Sequence, residues 1–138
     1  MKETILHTSK NLSFARRIVK NLPQAVRRCL PAEIGIISVS AAESLRLNRR
    51  YRNKRTPANV LSFLYGKEYG EIIVCPAVIR REAKTQKHSF EYQMTWYILH
   101  GIIHLSGLHH EQSRATAQRA ERLEKKIVYT IFKKKSPN

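Results

Sequence analysis

Apolar positions recur along this chain at two periods, and the places where one gives way to the other outline its elements. From Leu12 to Leu30, Phe14, Ile18, Val19, Leu22, Val26 and Cys29 fall at roughly helical spacing, with Arg16, Arg17, Lys20, Arg27 and Arg28 between them. This predicts an amphipathic helix interrupted near Pro23, whose ring removes a backbone donor. After Pro31 the run from Ile34 to Val39 is short, β-branched and bounded by turn formers, which predicts a strand. Ser40 then caps a helix from about Ala41 to Tyr51. Asn59 to Phe63 and Glu71 to Val74 read as two further strands around a turn region at Gly66 to Gly70. Pro76 suits the first turn of a helix that runs to about Lys87. Another helix covers roughly Phe90 to Ser106. A last one, about Arg114 to Phe132, carries Ala117, Ala120, Leu123, Ile127 and Ile131 on one stripe. Lys133 to Asn138 is expected to be a frayed basic tail. This order predicts an α/β or α+β domain with helices packed on a small sheet.

At 138 residues the chain is expected to form one domain with a core that needs no disulfides. Cys29 and Cys75 lie far apart and make no short-spaced metal or redox pair, so they read as two reduced thiols of a cytosolic protein. The first residues contain no apolar stretch of signal-peptide length, and no run approaches a membrane span. The expectation is a soluble, cytoplasmic protein with no membrane partner. Charge adds a partner: 26 Lys+Arg against 10 Asp+Glu, a formal +16, favours a polyanion, of which nucleic acid is the commonest. Membrane surfaces or acidic proteins would satisfy the same electrostatics. The segment from Leu45 to Arg55 holds six of these cations. Most read as a solvated helix end complementing the dipole. A loop so cationic could also deliver a guanidinium to a phosphate, whose oxygens arginine's planar fork binds in pairs. Spacing does not single out one arginine.

Candidate chemistry concentrates between His100 and His110, which hold four of the six histidines. His100 and His104 stand four apart, so on a helix both imidazoles leave one face. Gly107 can take a positive φ, end the helix and let the chain turn back, bringing His110 to the same point. Three neutral nitrogens with an open fourth position describe a catalytic zinc site better than a structural one. Nickel, copper and iron also accept such ligands. The spacing approaches the metalloprotease pattern H-E-x-x-H-x-x-G-x-x-H, in which the glutamate is the general base. Gly101 occupies that position here. His104, Gly107 and His110 keep the second half of the spacing, which favours His110 over His109 as third ligand. A single histidine on an apolar helix is ordinarily a satisfied core residue. Three at ligand spacing, on a helix apolar nearly all round, are better explained by coordination, because unpaired buried imidazoles are costly.

Three segments in order resemble the YbeY family of ribosomal-RNA maturation factors, metal-dependent endoribonucleases. Leu47-Asn48-Arg49-Arg50-Tyr51-Arg52, followed by Asn59-Val60-Leu61-Ser62-Phe63, is similar to that family's L-N-x-x-Y-R and D/N-V-L-S-F. Gly70-Glu71-Ile72-Ile73-Val74-Cys75 is similar to G-D-I-V-I-C, and His100 to His110 matches H-G-x-x-H-L-x-G-x-x-H. The resemblance implies an α+β (α/β-like) fold: a small mixed sheet of about four strands packed with about five helices, in a single domain spanning residues 1–138. It implies one Zn(2+) per chain on His100, His104 and His110, and Arg52 as the functional arginine. The implied partners are RNA, namely ribosomal RNA and the small ribosomal subunit. Glu71 stands where the family has aspartate, and Leu108-His109 replaces an aromatic-aspartate pair. The loop between Phe63 and Gly70 is short, and Glu111 alone remains of the acids that follow the last histidine.

The expected activity is cleavage of an RNA phosphodiester in small-subunit ribosomal RNA processing. The metal would act as Lewis acid or lower the pKa of water, and Arg52 would stabilise charge on the pentavalent phosphorus. Two rivals stand beside it. One is a non-catalytic RNA- or ribosome-binding assembly factor with a structural zinc, which the charge explains equally well. The other is a metallopeptidase-like hydrolase, which has the ligand spacing without the base.

Overall fold

The computed structural model describes residues 3–8, 15–108 and 113–135, with side chains as far as Phe132. Among the described residues, β1 (Ile5–Thr8), β2 (Glu33–Ser38), β3 (Val60–Leu64) and β4 (Tyr69–Val74) are accompanied by α1 (Ala15–Lys20), α2 (Gln24–Arg27), α3 (Ala41–Arg52), α4 (Pro76–Gln86), α5 (Phe90–Leu105) and α6 (Arg114–Lys135). The strands form one sheet in the order β1-β2-β4-β3. β1, β2 and β4 run parallel, and β3 closes one edge antiparallel to β4, with Val60 opposite Val74 and Phe63 opposite Glu71. The expected α+β domain with a small mixed sheet is therefore present.

Several local expectations hold for the stated reasons. Ser40 accepts a hydrogen bond from Glu43 N–H at 3.1 Å and starts α3, Pro76 opens α4, and Gly107 takes a φ of 92° after α5. Pro23 divides the first helical region into α1 and α2, which raises the helix number to six; residues 12–14 lie outside the described ones. α6 continues to Lys135, so the backbone expected to fray after Phe132 is helical for three more residues. β1 was not among the expected strands. It is four residues long with a half-exposed pattern, and it is held by parallel pairing to β2 from Ile5–Glu33 to Thr8–Ile36, a non-local partner that local periodicity does not reveal. Both cysteines are free thiols, Cys29 exposed and Cys75 buried.

The core lies between one sheet face and the helices. α5 is its axis, packing on β3, β4, α1, α4 and α6. Ile98, Leu99, Ile102 and Ile103 are fully buried, and they meet Ile34, Ile72 and Val74 from the sheet. Beyond its first turns, the half-buried side chains of α5 are Trp96, Tyr97, His100 and His104, which share one stripe by their spacing. Gly101 sets the depth of this packing. A Cβ there would stand 2.9 Å from Ser62 Oγ and 3.0 Å from Ile72 Cγ2. On the other sheet face a smaller cluster joins Leu61, Ile73 and Ala58 to Leu47 of α3.

Replacing Gly101 with alanine tests this close approach. Helix propensity gains about 1 kcal/mol, whereas forcing a methyl against the fully buried Ile72 costs about 1–3 kcal/mol. The expected net change in a denaturant titration of Gly101→Ala is a loss of up to about 2 kcal/mol. A midpoint above the parent's would contradict the packing.

Candidate active site

The half-buried stripe of α5 forms one wall of an open cleft of about 700 Å³ that runs along the edge strand. His100 and His104 sit on this wall beside Trp96 and Tyr97. Asn59 to Phe63 of the edge-strand segment form its floor, Tyr51 and Arg52 its rim on α3, and Glu121 and Glu124 its far side on α6. Helical spacing delivers the histidines as expected: their Nε2 atoms are 3.1 Å apart and the rings meet edge to face at 4.6 Å.

His100 is fixed from behind. Its Nδ1 lies 3.2 Å from Glu124 Oε2 and 3.4 Å from Oε1. The Glu124 side chain is only 3% exposed. An ionised carboxylate only accepts, so this pairing favours the tautomer in which His100 Nδ1 carries the proton and Nε2 keeps its lone pair. Glu124 was not expected as a site residue. The signal was present, since Glu124 lies one turn from Ala120 and from Ile127 on the apolar stripe of α6, where an acid needs a partner.

Arg52 is the last residue of α3, and its position follows from how that helix ends. Asn53 adopts a left-handed φ of 54°. Its N–H donates to Arg49 O at 3.2 Å, the bond of a left-handed C-cap, and Lys54 N–H donates to Asn48 O at 3.2 Å. The chain that follows is tied back to α3: Asn48 Nδ2 donates to Thr56 O at 2.7 Å, and Ser44 Oγ both donates to Ala58 O at 2.7 Å and accepts from Ala58 N–H at 2.9 Å. Arg52, exposed, therefore stands at a braced corner of the cleft that His100 and His104 also line. At the opposite end, Asn59 Nδ2 donates to Glu82 Oε1 at 3.1 Å. Tyr97 beside it has its phenol pKa raised, first by burial and then by the charge of Glu82, so it remains a neutral donor.

The donor set fits a divalent metal. With metal–nitrogen distances of about 2.0–2.1 Å and tetrahedral angles, neighbouring ligand nitrogens stand about 3.3 Å apart, close to the 3.1 Å between the two Nε2 atoms. A carboxylate holding the second nitrogen of a ligating histidine is the usual support of such sites. His109, His110 and Glu111 lie outside the described residues, and among the described ones no group of three His, Cys, Asp or Glu could hold an ion. His100 and His104 could thus supply two ligands, with Gly107 turning the chain toward the segment that contains His110.

Fold and cleft together define a small α+β domain whose buried central helix presents a carboxylate-anchored histidine pair to an open, cation-rimmed groove. Comparison with known proteins narrows this class. The family described as Endoribonuclease YbeY matches residues 2–131, and the chain belongs to that family. A relative named Endoribonuclease YbeY from Thermotoga neapolitana is 34% identical over 120 residues, covering 83% of this chain and 79% of its own. One from an Acidovorax species is 37% identical over 103 residues, with coverages of 72% and 68%. The solution structure of a Thermotoga maritima protein superposes with a TM-score of 0.65 at 28% identity, over 95% of this chain and 89% of that one.

The orientation of His100 can be read directly. In long-range proton–nitrogen NMR spectra of the metal-free protein, His100 is expected as the Nδ1–H tautomer. Glu124→Gln retains an acceptor and should keep that tautomer, whereas Glu124→Leu should lose it. An Nε2–H tautomer in the parent would show that Glu124 does not set the ring.

Proposed function

We propose that this protein is a metal-dependent endoribonuclease that cuts single-stranded RNA during small-subunit ribosomal RNA maturation and quality control. The observation that carries this reading is the carboxylate-anchored histidine pair lining one cleft with Arg52, in a chain of the family described as Endoribonuclease YbeY. His100, His104 and His110 hold one divalent ion, with zinc favoured by three nitrogen ligands and an open position. When bound, the ion supplies Lewis acidity toward a phosphoryl oxygen and toward the attacking water.

The chain's own residues do the rest. Glu124 holds the proton on His100 Nδ1 and so keeps Nε2 available. The Arg52 guanidinium pairs with the non-bridging phosphate oxygens and offsets the charge that builds there as phosphorus becomes pentavalent. Glu121 is the exposed carboxylate of the α6 wall, and it serves as a proton acceptor from water. Trp96 and Tyr97 shield one side of the groove from bulk water. The formal +16 charge supports binding of the RNA backbone, and with it association with ribosomal RNA and the small subunit. No helix among the described residues is long and apolar enough to cross a membrane. The peptidase reading loses support at Gly101, which packs on the sheet where a glutamate side chain has no room.

Cleavage of a defined, end-labelled RNA by metal-loaded protein tests this, with bound metal quantified in each variant. His104→Ala should lose both metal and cleavage. Arg52→Ala should keep its metal and cut about 10²- to 10³-fold more slowly, the usual scale for one electrostatic donor. Glu121→Gln should keep its metal and cut more slowly. Equal cleavage by the parent, His104→Ala and Arg52→Ala would mark the activity as contamination. The protein would then be a binding factor with a structural ion, whose salt-sensitive RNA affinity survives without turnover.

A further inference from the structure

The sheet has a second face, turned away from α5, where Leu47 of α3 and Phe63 pack against Ala58, Leu61 and Ile73. Strand alternation and register place Phe63, Glu71 and Tyr69 on this face, with Ile37 and Ile5 beside them. Tyr65 stacks at its end. Four rings form one continuous row there. Tyr51 meets Phe63 edge to face at 5.2 Å, Phe63 stacks near Tyr65 at 6.5 Å, and Tyr65 stacks on Tyr69 at 5.8 Å. Tyr51 is 56% and Tyr65 61% exposed.

We propose that Tyr51, Phe63, Tyr65 and Tyr69 are a stacking track that leads the bases of a single-stranded RNA away from the histidine cleft. This rests on the nuclease reading above and extends it by assigning where the substrate strand lies. Continuity is the first support: Tyr51 and Phe63 also line the cleft, so the row begins at the candidate site and leaves it around the edge strand. Charge is the second. Arg50 lies over the Tyr51 ring at 5.5 Å, Arg52 lines the cleft beside Tyr51, and Lys67 lies in the turn between Tyr65 and Tyr69. Rings interleaved with cations are what a single strand needs, since bases stack on the rings while the cations follow the phosphates. A duplex keeps its bases paired and cannot use such rings.

The row is built to stay in place. Tyr65 and Tyr69 both donate to Glu71, at 3.5 and 3.3 Å. One carboxylate thus ties two phenols whose pKa values are raised, first by burial and then by the Glu71 charge. This gives Glu71 a role as a positioning residue. Gly35 makes room for the same arrangement: a Cβ there would stand 2.5 Å from the Tyr69 phenol oxygen.

The test measures binding of a fluorescein-labelled single-stranded oligoribonucleotide and of its duplex to the full chain, with cleavage followed in parallel. Tyr65→Ala and Tyr69→Ala should each raise the Kd for the single strand about 5- to 100-fold, with little change for the duplex. Tyr65→Phe keeps the ring and should stay within about twofold of the parent. Tyr129→Ala, which removes an exposed tyrosine on α6, should bind as the parent does. Ultraviolet cross-linking should place a nucleotide adduct on Tyr65 or Tyr69. If both alanine variants bind and cut like the parent, the track is wrong and the nuclease reading stands, leaving this face to a protein partner. If the parent neither binds nor cuts single-stranded RNA, both fall.

Discussion

Helix α5 lies so near β3 and β4 that residue 101 can carry no side chain without pushing on Ser62 and Ile72, and this approach governs the rest of the molecule. With Gly101 against the sheet, Ile98, Leu99, Ile102 and Ile103 are driven into the core on either side of it. Beyond its first turns the helix then presents outward the stripe of Trp96, Tyr97, His100 and His104. The histidines are held by the rotational setting of a helix packed on the sheet and on three other helices. Interiors packed at crystal-like density do not allow that setting to drift. Precise placement of two imidazole nitrogens thus follows from core packing.

α6 completes the arrangement by bringing an acid into an apolar contact. Glu124 is 2% exposed amid Ala120, Ile127 and Val128, a position where an unpaired charge would be expensive and where the His100 N–H relieves that cost. The pairing therefore works in both directions. It aims the ring of His100, and it makes docking of α6 depend on His100 being present. Folding and site assembly are in this way the same event, as expected of a constellation built on rigid elements.

Much of this was legible in the chain. The helical spacing that brings His100 and His104 together, the glycine that ends the helix at Gly107 and the cap at Ser40 are local rules, and they hold locally. What local rules could not show was pairing at a distance. β1 exists because Ile5–Thr8 finds β2, and nothing in four half-exposed residues announces that partner. Glu124 was visible as an anomaly in an apolar stripe, but its histidine lies 24 residues away. The cationic segment around Arg52 could be read as charge, yet the corner that aims Arg52 depends on Asn53 in the left-handed region and on Asn48 and Ser44 gripping the loop. Tyr51, Phe63, Tyr65 and Tyr69 are scattered through three elements and a turn, and they are gathered by the antiparallel register of β3 with β4 and the packing of α3 beside it.

The comparison with peptidases also takes on a physical form. A glutamate directly after the first histidine can act as base only if that helix face is open to the site. Here that face is the closest point of contact with the sheet, so an acid at 101 would be buried between Ser62 and Ile72 instead of facing the histidines. Carboxylates reach the cleft from α6 instead, one buried to orient His100 and one exposed at Glu121. The edge strand then separates two surfaces of different character. The α5 side carries the histidine pair with the carboxylates of α6, and the α3 side carries Arg52 and a row of rings. A groove that wraps around a strand edge joins the two. A flexible, anionic strand with flat bases can follow such a bend and meet both surfaces at once, with a phosphate at the histidines and its bases on the rings; a stiff duplex cannot.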